Sequence, residues 1–260
     1  MPRSRAKTAQ YGRTRGAEDK RCSRSLCITA CAEIAFSGGE TALDAFLDFW
    51  NALDLTALLG AALRLAAVLL CLTVHETCHG LAAYALGDPT AKQRHRLSLN
   101  PLHHIDWFGL AAMLLLGFGW AKPVPVDMRY FKNPKRGMAL TALAGPASNL
   151  LLAPLLLLGA RGILALSPDS AAWGWTYAFL MLSARLSVGL GVFNLIPISP
   201  LDGSKVLFAL LPDAQYDTLM RYERYGLFLL YALLLFGALD GFLSTAVNAV
   251  YDTLLSLIFH

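Results

Sequence analysis

Residues 55–86 read LTALLGAALRLAAVLLCLTVHETCHGLAAYAL. A membrane helix needs about 20 apolar residues to cross ~30 Å of hydrocarbon, and this run exceeds that. Near its far end lies the pentad His75-Glu76-Thr77-Cys78-His79. Positions four apart lie on one face of a helix. His75 and His79 therefore project side by side, at a spacing that suits two imidazoles on one metal ion. Glu76, one position on, is close enough to reach a metal-held water yet displaced from the ligand pair. This is the two-histidine zinc motif with its general base. Such groups are costly in lipid and mark a functional site. In a soluble helix the pentad arises by chance often enough to be moderate evidence. In an apolar span each polar group needs a partner, and no structural reason for them is visible.

The surrounding composition agrees. Of 260 residues, 56% are hydrophobic and 15% charged, with a mean hydropathy of +0.49. Those values exclude a disordered chain and indicate a polytopic membrane protein. The reading is an all-α fold of about five to six membrane segments. A small extended or re-entrant element is expected between the first and second long spans. The net charge of +4 is unevenly spread, with the 22 Lys and Arg concentrated towards the start. Residues 1–25 are basic and aperiodic, which fits a disordered tail against lipid headgroups rather than a nucleic-acid-binding framework. No nucleic-acid partner is expected. The cysteines, Cys22, Cys27, Cys31, Cys71 and Cys78, form neither a C-x-x-C pair nor a disulfide framework.

Residues 26–38 are apolar but interrupted by Glu33 and too short to span. With the basic run before them they have only the outline of a signal peptide. Residues 40–53 set Asp44 and Asp48 against Phe46, Phe49 and Trp50, the pattern of an interfacial helix. Residues 1–54 are thus read as a tail with an interfacial helix, and 55–260 as the membrane domain. Gly87-Asp88-Pro89 ends the long helix. Residues 107–120 are apolar, short and glycine-rich, a candidate re-entrant piece. Lys122-Pro123-Val124-Pro125-Val126-Asp127 cannot be helical, since two prolines remove donors and fix φ. An extended stretch lining a cleft fits there. Further spans are expected over 137–160 and 173–196, followed by two apolar segments: 225–239, short for a full span, and 242–259, where Asn248 and Asp252 fit a partly interfacial placement. Arg185 interrupts one of them, and is expected to face a cavity, or to pair with carbonyls or an acid.

A catalytic zinc takes three protein ligands and keeps one position open. The pentad does not continue as HExxHxxGxxH, because positions 82 and 85 are alanine. Asp202, beside Gly203 at a helix broken by Pro197 and Pro200, is the leading third ligand. Its competing reading is an N-cap for the segment starting at Ser204. His95, His103 and His104 are rival ligands in a basic loop.

Together these motifs resemble the site-2 proteases, intramembrane zinc metalloproteases. The resemblance rests on His75-Glu76-x-x-His79, Gly145-Pro146-x-x-Asn149 and Asn194-x-x-Pro197-x4-Asp202-Gly203. Leu97-Ser98-Leu99-Asn100-Pro101 and Gly119-Trp120-Ala121-Lys122-Pro123-Val124-Pro125 resemble the compact bacterial members, without a PDZ or CBS domain. It implies one Zn2+ on His75, His79 and Asp202, with Glu76 as the base. It also implies that Asn149 and Asn194 lie near substrate or the oxyanion. Ser199 stands where the family often carries proline. The implied activity is peptide-bond hydrolysis within or near transmembrane helices of membrane-protein substrates. The implied location is a bacterial cytoplasmic membrane, with the lipid bilayer as environment. Two other classes compete: a zinc-dependent transporter, and an inactive homologue acting as a binding protein. Serial acidic or histidine sites would favour transport, and only one cluster is visible.

Charge in the connections predicts orientation. Residues 88–136 hold Lys92, Arg94, Arg96, Lys122, Arg129, Lys132, Lys135 and Arg136, whereas 161–172 hold only Arg161. Residues 203–224 hold Lys205, Arg221 and Arg224. The first and third connections are then cytoplasmic, with the metal nearer the cytoplasmic side. The basic tail disagrees unless residues 26–53 cross.

Overall fold

The computed structural model describes residues 55–104, 106, 108–109, 122–166 and 171–260. Expectations for the basic tail, the 26–38 patch, the interfacial helix and the re-entrant piece fall outside these residues, apart from fragments of the last.

Helix α1, Leu55–Ala85, carries the pentad in its final third. It stops at Gly87, whose φ of +106° suits a residue without Cβ. Asp88 N–H then returns to Ala83 O at 2.9 Å. The stop at Gly87-Asp88-Pro89 is the one its sequence predicts. A short helix α2, Thr90–Gln93, and a 3-10 turn, Pro101–His103, follow.

Helix α3, Pro134–Leu166, contains Pro146 and Pro154 and still runs unbroken. Helix α4 spans Ala171–Asn194 and packs along α3. Small residues make that approach close: Ala153, Ala160 and Ala184 are fully buried. A Cβ on Gly191 would stand 3.0 Å from Leu150 and 3.1 Å from Pro146 O. Helix α5, Asp202–Ala209, packs against α3. Helices α6, Asp213–Leu235, and α7, Asp240–Phe259, complete the domain. Tyr251 and Ile258 of α7 join Leu157 and Val188 in the core.

Four helices among the described residues are long and apolar enough to cross a membrane: Leu58–Ala85, Pro134–Leu166, Ala172–Asn194 and Asp240–Phe259. The expected segment at 225–239 is the shorter apolar end of α6, Tyr225–Leu235. Long apolar side chains such as Leu151, Leu155, Phe228 and Leu257 point outwards. In water that would be an aggregation hazard; in acyl chains it is the expected surface. The fold is therefore that of an all-helical integral membrane protein.

Arg185, within α4, donates to Asn248 Oδ1 of α7 at 2.8 Å. Its guanidinium lies 5.4 Å from the Tyr251 ring centroid. It also lines a cavity, so the expected cavity-facing placement holds. Its hydrogen-bond acceptor is a side-chain amide carbonyl, and its other partner is an aromatic face.

Lys122–Asp127 carry neither helix nor strand. With Pro123 and Pro125 lacking N–H groups, the neighbouring donors turn inward. Lys122 N–H reaches His104 O at 2.9 Å, and Asp127 N–H reaches Asp88 Oδ2 at 2.7 Å. Asp88 is fully buried, and its other oxygen accepts from Thr90 N–H at 2.9 Å. Asp88→Ala leaves two inward amides unpaired and should cost about 3 kcal/mol. Thermal unfolding in detergent checks this; Asp88→Asn, which keeps an acceptor, should lose less.

Candidate metal centre

The centre is built from three helices. On α1, one helical turn brings the His75 and His79 rings to 4.5 Å between centroids. Their Nε2 atoms are 3.0 Å apart. From α5, Asp202 Oδ2 lies 3.1 Å from His75 Nε2 and 3.2 Å from His79 Nε2. Ligand atoms about 2.0 Å from a tetrahedral zinc are about 3.3 Å from one another, so this triangle has the size of one face of such a site. Among the described residues, these three form the single His/Cys/Asp/Glu group able to hold a metal. The donor set of two imidazoles and a carboxylate also suits zinc.

Tautomer chemistry supports the fit. His79 Nδ1 stands 2.7 Å from Thr141 O. A carbonyl only accepts, so Nδ1 carries the proton and the neutral ring turns its Nε2 lone pair to the triangle. Lone pairs converging with a carboxylate repel unless a cation joins them.

Asp202 is the first residue of α5, whose N-cap is Leu201, with no side-chain capping bond. The capping alternative therefore has no support in the geometry. Close packing places α5: a Cβ on Gly203 would fall 2.3 Å from Leu195 O. The third wall is α3, which meets the imidazoles at Gly145. A Cβ there would stand 2.4 Å from His79 Nε2 and 2.7 Å from His75 Nε2.

The rivals lie elsewhere. His95, at φ 53°, is exposed in the loop, as is His103. His104 is buried, and its Nε2 pairs with Ser98 O at 2.9 Å. Ser199, the departure from the family pattern, donates Oγ–H to Glu223 O at 3.2 Å.

Glu76 Oε2 accepts from Val124 N–H at 3.0 Å, so the proline-bounded stretch orients the carboxylate. Two cavities meet here. One of about 390 Å³ is lined by the two histidines, Glu76, Val124, Asn194 and Asp202. The other, about 760 Å³, runs between α1 and α4 and shares His75, Glu76 and Asn194. Asn194 donates to Leu190 O at 3.0 Å. Asn149 is fully buried. It lines neither cavity. Its amide lies 3.2 Å from His75 Nδ1. An influence of Asn149 on substrate has to pass through His75. Sequence reasoning missed Thr141 and Val124, because both act through backbone atoms. It quoted Gly145 in a motif without its steric reason.

A membrane domain that gathers two imidazoles, a carboxylate and a base around one point belongs to the class of membrane zinc metalloproteases. Comparison with known proteins names the family. The profile of Peptidase family M50 matches residues 160–237. A Bacillus subtilis protein named "Putative zinc metalloprotease YwhC" is 38% identical over 191 residues, covering 71% of this chain and 85% of that protein. Rip2 of Mycolicibacterium smegmatis, similarly named, is 31% identical over 194 residues, covering 73% of each. Rip2 of Mycobacterium tuberculosis is 31% identical over 194 residues, covering 72% of each. No solved structure matches the chain significantly. The chain belongs to peptidase family M50, the site-2 protease family, and its cofactor is zinc.

Gly145→Ala drives a methyl into the imidazole pair. It should abolish stoichiometric zinc binding with little loss of helix content; metal analysis beside circular dichroism checks both.

Proposed function

We propose that this protein is an intramembrane zinc endopeptidase, cutting peptide bonds within or near the transmembrane helices of membrane-protein substrates in regulated intramembrane proteolysis. The observation that carries the reading is the position of Glu76. Its carboxylate is tied by one oxygen to Val124 N–H, and it lines both cavities together with His75. In this reading His75, His79 and Asp202 hold the metal. Zinc, when bound, supplies Lewis acidity that lowers the pKa of water and polarises a carbonyl.

Glu76 takes the proton from the attacking water and delivers it to the leaving amine. The Val124 N–H holds the carboxylate in place and leaves its second oxygen for the proton. Asn194, at the junction of the cavities, contacts substrate or the oxyanion. The larger, largely apolar cavity accepts an apolar helical segment, and the smaller one its locally unwound part. An unwound peptide needs backbone partners, and the Lys122–Val126 stretch is placed to supply carbonyls. A transporter would need serial sites, and one metal-capable group is present among the described residues.

The membrane domain extends over residues 55–260. Tyr225–Leu235 adds a shorter apolar segment to the four long helices of the described residues. The bacterial cytoplasmic membrane is the setting, with the metal nearer the cytoplasm.

Glu76→Gln should retain zinc and lower cleavage of a single-span substrate in proteoliposomes by about 100- to 10,000-fold. Near-parental turnover would remove Glu76 from the base role. For orientation, single cysteines at Ser98 and Ser170 in a cysteine-free background are labelled with an impermeant reagent. Ser170 should label in intact cells and Ser98 only after opening; the reverse pattern inverts the topology.

A further inference from the structure

His75 has two ring nitrogens, and only one faces the triangle. For Nε2 to offer a lone pair there, Nδ1 must carry the proton. A buried N–H needs an acceptor. His79 meets this requirement through Thr141 O. His75 Nδ1 instead meets the side chain of Asn149, with Nδ2 at 3.2 Å. In that orientation two donors would face each other whenever His75 is a ligand. The other amide atom, Asn149 Oδ1, is buried without a hydrogen-bond partner. Amide oxygen and nitrogen are nearly equal in size and exchange places by a half-turn about Cβ–Cγ. That half-turn removes the donor–donor opposition and moves the amide nitrogen to the place Oδ1 leaves. Oδ1 leaves its unpaired place and accepts the Nδ1–H.

The residue itself is held for this task. Asn149 is fully buried on α3, one turn beyond the Gly145 that lets both imidazoles approach. Its backbone carbonyl accepts from Ser187 Oγ–H of α4 at 2.8 Å. An asparagine in the middle of an apolar helix is costly unless its polar atoms are used.

We propose that Asn149 is a positioning residue. Its Oδ1 accepts the proton of His75 Nδ1, which fixes the imidazole as an Nε2 donor toward zinc. The inference rests on the reading of His75 as a zinc ligand. It makes Asn149 part of the metal's outer shell rather than a contact to substrate.

Zinc affinity of the full-length protein in detergent, by competition with a fluorescent chelator, tests it. Asn149→Leu keeps the volume and removes the acceptor. It should weaken zinc binding by about 10- to 100-fold, with the thermal midpoint of the chelator-treated protein reporting whether the fold survives. Asn149→Asp keeps an acceptor at the same place and cannot act as an amide donor. It should hold zinc within about threefold of the parent, or more tightly. If Asn149→Asp loses zinc, Asn149 serves as a donor and the proposal is overturned, whether or not the leucine variant folds. A folded Asn149→Leu with parental affinity overturns it equally. His75→Ala separates the two levels. Parental zinc affinity in that variant removes His75 from the ligand set. Its loss, together with a tight-binding Asn149→Leu, removes only the role assigned to Asn149.

Discussion

Inside a bilayer no water is available to solvate a stray polar atom, so each one on these helices has to be met by protein. That constraint organises the centre of this molecule. The imidazoles of α1 have partners on their outer nitrogens, a carbonyl for His79 and an amide for His75. The Glu76 carboxylate has a backbone donor. Cys71 Sγ–H finds Ser183 O on α4 at 3.4 Å. These contacts tie α1 to α3, to α4 and to the connection after it. The polar groups needed for chemistry are thus also what sets the helices' relative positions.

Steric economy makes those contacts possible. Gly145, Gly191 and Gly203 each sit where a Cβ would meet a neighbour at 3.0 Å or less. Each opens a different approach: imidazoles onto α3, α3 onto α4, and α5 onto the end of α4. In a membrane, association cannot draw on the exclusion of water from leucine surfaces, and close backbone approach takes its place.

Much of this was legible in the chain. The apolar run of 55–86, its stop at Gly87 and the His75–His79 spacing depend on local periodicity, which sequence displays directly. Asp202 was legible as an acid at a broken helix, but its distance from the histidines depends on tertiary packing. The third partner of each imidazole was not legible, because a backbone carbonyl such as that of Thr141 has no letter of its own. Asn149 was visible as part of a motif, yet its burial behind His75 needs the α1–α3 approach. The non-helical character of Lys122–Asp127 followed from two prolines. That Val124 N–H would meet Glu76 did not, since nothing in the stretch encodes its neighbour. Segment counting proved less direct. Apolar length predicted a helix at 225–239, whereas the chain uses Tyr225–Leu235 as the end of a longer helix that begins in polar sequence.

His75 and Asp202 are separated by 127 positions along the chain. A cation bridging them closes a loop that contains all of α3 and α4, in the manner of a disulfide across the domain. The ion is then a buckle as well as a reagent. Without it α5, only eight residues long, is held to the histidines by side-chain contacts alone. Metal loading would then add stability to an α5 that its packing on α3 and against Leu195 already seats.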